Sequence, residues 1–269
     1  MNSPGLGIAR IRCYNSRVLE TPARLVGIPA AVFQGKVAAV TGGGRGLGRA
    51  VAVALASAGA DVAVSFRESE EGAAETAEAV RRLGRRAFVG LADARRPGQM
   101  AGFVDDAAQA LGGLDVLVNN AGIFRRVLVE DLSEEWLDEA FDVNVKAAVL
   151  ASQAAVPHMW RRGGGAIVNV ASVGGVRPWK AYLPYCASKA ALIMATRCLA
   201  LALAPAIRVN AVAPGILDPP GAGDELRRRV PMGRFGAHAE AVEATMFLAA
   251  SASYTTGEVL TVDGGRALA

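Results

Sequence analysis

The chain has 269 residues, a formal net charge of +4 and 52% hydrophobic side chains, of which few are aromatic. Residues 1–34 carry Arg10, Arg12, Arg17 and Arg24 against Glu20 and supply +3 of that charge, so the remaining +1 leaves no basic face for a nucleic-acid partner. No run reaches the roughly 18 apolar residues that a membrane-crossing helix needs, and no membrane partner is expected.

Residues 1–34 read as an N-terminal extension. Their Arg-rich, acid-poor composition is that of a transit peptide, whereas an upstream start or a loosely ordered extension is the simpler reading. Cys13, Cys186 and Cys198 are odd in number and lack paired spacing, and His158 and His238 stand alone. Neither a disulfide framework nor a metal site is indicated, which fits a reducing, cytoplasmic setting.

From residue 36 onward, short Val-rich runs alternate with longer stretches of helical period. The expected strands are 36–41, 61–66, 86–91, 115–119, 166–171, 207–212 and 259–262. Strands that alternate with helices build a parallel sheet covered on both faces. A doubly wound Rossmann-type α/β fold follows, with its ligand crevice at the carboxyl ends of the strands. No linker or further repeat interrupts the pattern, so residues 35–269 are expected to form one domain.

The first strand runs into Thr41-Gly42-Gly43-Gly44-Arg45-Gly46-Leu47-Gly48 and then into helix formers. Glycines let backbone N–H groups approach a pyrophosphate, and the start of the next helix favours its negative charge. The second strand ends in Ser65-Phe66-Arg67, without the carboxylate that would bind both ribose hydroxyls of NAD. Arg67 and Arg45 can instead bind a 2′-phosphate, which favours NADP(H) and leaves NAD(H) as the alternative.

Further along, Tyr185 and Lys189 stand four residues apart, on one face of an expected helix. A nearby ammonium favours the phenolate and brings tyrosine closer to working pH for acid–base chemistry. Ser172 follows the strand 166–171 on the ligand-binding edge, where a hydroxyl can polarise a carbonyl. No histidine and no nucleophile-elbow spacing accompany it, which sets aside serine hydrolysis. Residues 214–236, rich in Pro, Gly and Arg, read as an active-site loop.

Taken in order, TGGGRGLG at 41–48, NNAG at 119–122, Ser172 and YCASK at 185–189 resemble the short-chain dehydrogenase/reductase family. The likeness covers about 235 residues and is nearest to its 3-oxoacyl-carrier-protein reductase-like members. It implies pyrophosphate contacts from Gly42, Gly46, Leu47 and Gly48, with Thr41 supporting the loop. It further implies an adenine contact from Asp93 and close packing beside the cofactor at Asn120, Ala121 and Gly122. Tyr185 would donate a proton to the carbonyl oxygen, Lys189 would lower its pKa and hold the ribose, and Ser172 would orient the substrate. Asn144 would hold a water that links the lysine to solvent, and Pro214, Gly215 and Leu217 would flank the nicotinamide. Pro219 stands where relatives often carry threonine, so only a backbone contact from Leu217 carries over.

The implied activity is hydride transfer between a nicotinamide and a ketone or secondary alcohol, with a 3-oxoacyl thioester among the candidate substrates. An acyl-carrier protein would meet Arg125, Arg126 and Arg177, although Glu130 and Asp131 oppose it. The compact spacing of 203–210 and Trp179 resemble pteridine reductases, against which Ser172 and Gly46 argue. A non-catalytic dinucleotide-binding regulator is the alternative from another class. The last strand and tail, with Val262-Asp263-Gly264-Gly265, imply a homo-oligomer, a tetramer or dimer.

Overall fold

The computed structural model describes residues 31–218, 221 and 223–269. Seven strands form a single parallel sheet: β1 (Val37–Val40), β2 (Asp61–Phe66), β3 (Ala87–Leu91), β4 (Val116–Asn119), β5 (Gly165–Val170), β6 (Ile207–Pro214) and β7 (Val259–Val262), in the order β3-β2-β1-β4-β5-β6-β7. Each strand lies where the sequence pattern places one. The helices are α1 (Gly46–Ser57), α2 (Glu70–Arg82), α3 (Pro97–Leu111), α4 (Glu134–Phe141), α5 (Ala147–Arg161), α6 (Leu183–Leu203), α7 (Asp224–Arg227) and α8 (His238–Met246).

Side chains alternate across a strand, and here both faces are apolar. Ala38 and Val40 of β1 join Val51 and Leu55 of α1, Val80 of α2 and Val242 of α8 on one side. Val37 and Ala39 join Phe103 of α3 and Met159 of α5 on the other. This is why the strands read as continuous apolar runs. Phe33 is buried in the first of these layers, so packing reaches into the last residues that the sequence assigned to the extension. The rest of that segment, 1–30, lies outside the described residues.

At the amino-terminal edge of the sheet, buried Asp115 accepts hydrogen bonds from the Val37 N–H (2.9 Å), Lys36 Nζ (3.0 Å) and Arg162 Nη2 (3.1 Å). That cluster ties β1, β4 and the end of α5 together. At the opposite edge, the chain goes outward from β1 to β2 and β3, then returns to place β4 on the other side of β1. In open parallel sheets the crevice for a ligand lies at such a reversal, here beyond the carboxyl ends of β1 and β4.

Candidate active site

The loop after β1 is fastened from two sides. Gly42 N–H donates to Ser65 Oγ at 3.0 Å, and Gly43 N–H donates to the Ser65 carbonyl at 3.0 Å. Thr41 Oγ1 accepts from the N–H groups of Asn120 and Ala121, both at 3.0 Å, while Asn120 Nδ2 donates to the carbonyls of Thr41 (2.9 Å) and Gly42 (3.1 Å). Thr41 therefore supports the loop, and Asn120 shapes it with its side-chain amide. Gly46 has φ +53°, in the left-handed region that favours glycine. A Cβ on Gly48 would stand 2.4 Å from Asn120 Nδ2 and from the Gly42 carbonyl.

No side chain caps α1 and no acid occupies its first turn, so its first N–H groups remain available. This uncapped helix start behind a side-chain-free loop, with Leu47 in its first turn, fits a pyrophosphate. Arg49 was not foreseen from sequence. Its Nη2 donates to the carbonyls of Gly44 (3.0 Å) and Gly72 (2.9 Å) and pairs with Glu75 at 2.7 Å, while its Nε reaches Thr76 Oγ1 at 3.1 Å. It holds the loop against α2, a pairing made across more than 20 residues that no local motif announces.

At the outer end of the crevice, Arg45 is exposed and forms no ion pair among the described residues. Arg67 is ion-paired with Glu68. Arg45 is thus the freer of the two cations singled out for a 2′-phosphate. Asp93 follows β3 and is held by Arg95, whose Nε and Nη2 donate to it at 3.0 and 2.7 Å. That hydrogen bonding keeps the Asp93 carboxyl below its ordinary range, against a smaller opposing effect of burial.

The other side of the crevice gathers Ser172, Tyr185, Lys189 and Asn144. Ser172 follows β5 and is buried, and its Oγ accepts from the Gly174 N–H at 3.0 Å. A Cβ on Gly175 would lie 2.7 Å from the Lys189 carbonyl carbon, so this turn packs directly on the backbone of α6. Tyr185, in the first turn of α6, has its phenol pushed upward by burial and drawn partly back by a hydrogen bond with Ser172. Lys189 lies one turn further on, fully buried, and its Nζ donates to the Val170 carbonyl at 2.7 Å. Burial lowers the Lys189 pKa to about 8.

Asn144 sits on a π-helical turn, Asp142–Lys146, between α4 and α5. There its Oδ1 accepts from the Ile123 N–H (2.9 Å) and its Nδ2 donates to Ser188 Oγ (2.9 Å) and the Ile123 carbonyl (3.2 Å). Its amide is a brace between α6 and the segment after β4. A Cβ on Gly122 would lie 3.1 Å from Asn144 Oδ1 and 3.5 Å from Lys189 Nζ, which places this glycine against both.

β6 runs two residues beyond its expected end, to Pro214. Gly215 N–H donates to the Val262 carbonyl at 2.9 Å, Leu217 bridges to Gly236, and Asp218 N–H donates to the Gly236 carbonyl at 2.9 Å. The two ends of the intervening segment are thereby clamped; Pro219 lies outside the described residues. His238, read from sequence as solitary, places Nδ1 3.0 Å from the Asp218 carboxylate. Among the described residues no cluster of His, Cys, Asp and Glu could hold a metal ion.

Aromatic rings enclose the phenol. Trp179 stacks on Tyr185 at 6.0 Å between centroids, and Phe124 meets it edge-on at 4.8 Å. A cluster of hydroxyl, phenol and ammonium at the switch point, beside a cradle shaped for phosphate, defines a dinucleotide-dependent oxidoreductase of the Rossmann type.

The short chain dehydrogenase family matches residues 36–229, and the chain belongs to it. An uncharacterized oxidoreductase of Mycobacterium tuberculosis is 42% identical over 86% of this chain and 91% of its own length. The 3-oxoacyl-[acyl-carrier-protein] reductase FabG of Staphylococcus aureus is 37% identical over 86% of this chain and 97% of its own. Among solved structures, a short chain dehydrogenase from Burkholderia cenocepacia in complex with NADP is 41% identical, with a TM-score of 0.83, over 88% of this chain and 99% of that one. The protein is an NAD(P)-dependent oxidoreductase of small molecules, acting on CH–OH or C=O groups.

Proposed function

We propose that the protein is an NADP(H)-dependent carbonyl reductase in which Tyr185 is the proton donor, Ser172 the carbonyl-orienting hydroxyl and Lys189 the buried cation that holds the nicotinamide ribose. The observation that carries this reading is the packing of the Ser172 turn on the Tyr185 ring at the ligand edge of the sheet: Gly174 N–H donates to Ser172 Oγ at 3.0 Å, and a Cβ on Gly174 would lie 3.1 Å from Tyr185 Cε1. When bound, the reduced nicotinamide supplies the hydride. Tyr185 then gives its proton to the developing alkoxide oxygen, which Ser172 holds with a hydrogen bond. Burial raises the free phenol, so Tyr185 keeps its proton at neutral pH, as an acid in the reductive direction must. Asn144 keeps α6 in register with the segment 120–123, and so positions Tyr185 and Lys189.

The preference for NADP(H) over NAD(H) rests on Arg45, with Arg67 in support, and on the absence of a carboxylate at Ser65 or Phe66. Gly42, Gly46, Leu47 and Gly48 are assigned to the pyrophosphate, Asp93 to the adenine, and Asn120, Ala121, Gly122, Pro214, Gly215 and Leu217 to the nicotinamide half. A homo-oligomeric, cytoplasmic enzyme completes the proposal. An acyl-carrier protein is the less favoured partner, because Arg125 lies 3.6 Å over the Trp136 ring and pairs with Glu139, leaving fewer free cations to meet it.

The test is oxidation of NADPH and NADH against 3-oxoacyl thioesters, diketones, quinones, oxo acids and dihydropterins. Tyr185→Phe is expected to lower kcat by about 10²–10⁴ while leaving the Kd for NADPH within about twofold. Full turnover by Tyr185→Phe would remove it as the proton donor. Equal affinity for NADPH and NADH would remove the assignment of Arg45.

A further inference from the structure

The C-terminal tail brings an arginine to the candidate active site that no motif assigns. The Arg266 guanidinium carbon lies 5.7 Å from the centre of the Trp179 ring, and that ring stacks on Tyr185. Trp179 therefore neighbours both the guanidinium and the phenol. Arg266 Nε and Nη1 are buried without a hydrogen-bond partner, and so is Trp179 Nε1. Buried donors are ordinarily satisfied, so three unmatched N–H groups around one ring call for an acceptor.

The surrounding charge points the same way. Arg177 Nη1 donates to the Arg266 carbonyl at 2.7 Å, which brings a second guanidinium to the tail. Among the described residues, neither Arg177 nor Arg266 has a carboxylate within 4.0 Å, whereas neighbouring Arg229 is paired with Glu225 at 2.7 Å. Asp263, the acid nearest Arg266 in sequence, accepts instead from the Gly265 N–H (2.9 Å) and the Ala267 N–H (2.5 Å). Burial first, then Arg177 and Arg229, make the charge on Arg266 harder to keep, and Asp263 offsets this only in part. A bound anion would offset the cost of that burial and the repulsion from the two arginines, and a guanidinium makes strong charge-assisted hydrogen bonds to a carboxylate.

We propose that Arg266 and Arg177 form an anion subsite beside the Tyr185–Trp179 stack, and that the substrate is an apolar oxo compound carrying a carboxylate. This rests on the carbonyl-reductase reading above. Phe124 is 61% exposed and Met232 64% exposed, which gives the entrance apolar surface for the body of such a molecule. Two groups that share Trp179 as a neighbour suit a compact oxo acid, whereas the phosphate of a pantetheine thioester lies on a far longer arm from its carbonyl.

A matched pair, a cyclic or aryl oxo acid and its methyl ester, tests this with NADPH in wild type, Arg266→Gln and Arg177→Gln, with a pantetheine thioester as the third substrate. Wild type is expected to favour the acid over the ester by about tenfold or more in kcat/KM, through KM, and Arg266→Gln to bring that ratio to about one. The ratio is the readout, so a general loss of activity cannot imitate the effect; retained NADPH binding certifies the fold. A ratio near one in wild type, or one that Arg266→Gln leaves unchanged, overturns the proposal. A stronger Arg266 dependence for the thioester than for the acid assigns the subsite to phosphate and overturns the carboxylate. If no oxo compound turns over, the reductase reading fails by itself. The subsite is then read by Trp179 fluorescence with an unreactive aryl carboxylate, which must bind wild type more tightly than Arg266→Gln for the anion site to stand.

Discussion

Lys189 is a buried cation, and its environment differs sharply from that of a free side chain. Its ammonium has one acceptor, the Val170 carbonyl, and burial takes its pKa from the 10.5 of an ordinary lysine to about 8. Between those two values the unfolded chain binds a proton that the folded chain releases, so stability rises with pH across that window. Below about pH 8 the full cost of burying the charge is present. Above about pH 10 the phenol of Tyr185, raised by burial, adds a trend of the opposite sign, because the unfolded state then ionises first. Cofactor-free wild type is therefore expected to gain melting temperature from pH 7.5 to 9.5 relative to Lys189→Met, measured by thermal denaturation. Parallel curves would show that the lysine is not desolvated.

At this same scale, Tyr185, Lys189, Ser172 and the glycine loop were legible in the sequence because each belongs to a short pattern whose chemistry fixes its spacing. Arg49, Ser65 and Arg266 were not. Their partners lie tens of residues away, and a lone arginine or serine carries no local sign of what it will meet. Asp218 and His238 are also separated by 20 residues, and only the clamp between Leu217 and Gly236 brings them together.

Among the elements, the strands were the most legible, because both faces of the sheet are covered and each strand reads as an apolar run bounded by polar or glycine positions. The π-helical turn at Asp142–Lys146 was not. Its extra residue turns Asn144 inward, and its benefit lies in the hydrogen bonds to Ile123 and Ser188 rather than in any helical preference of Val143 or Val145. The first βα turn offers the sharpest test at this scale. Gly48→Ala puts a methyl 2.4 Å from two polar atoms, both belonging to the scaffold that shapes the loop. The loop must move away from Asn120, and the Kd for NADPH is expected to rise by about tenfold or more, measured by nucleotide fluorescence, with a smaller loss of stability. An unchanged Kd would show that the loop tolerates displacement and does not set cofactor affinity.

α6 joins the elements to the whole molecule. It is 21 residues long and apolar enough, by length and composition, to cross a membrane, yet it carries buried Lys189 against the carboxyl end of β5. Met194 and Leu201 on its other side are exposed, in keeping with the proposed homo-oligomer. Far from the crevice, Asp115 holds the opposite edge of the sheet. Removing its carboxylate leaves Lys36 and Arg162 without their common partner and the Val37 N–H without an acceptor. Asp115→Ala is expected to lower stability by about 3–5 kcal/mol and the melting temperature by roughly 10 °C, with kcat at 25 °C retained. A change within about 2 °C would show that this cluster is only a solvated surface group.

By itself, the sequence determined the doubly wound sheet, the edge on which ligands bind and the three groups proposed to act on a carbonyl. Periodicity, glycine spacing and an i,i+4 pair are local properties that the chain carries before it folds. Tertiary structure alone decided that the Ser172 turn packs on the Tyr185 ring, that Asn144 braces helix to loop, and that the tail brings Arg266 beside Trp179. Each of those depends on which distant segments the parallel crossovers bring to one sheet edge, and on how completely packing there excludes water from the groups that meet.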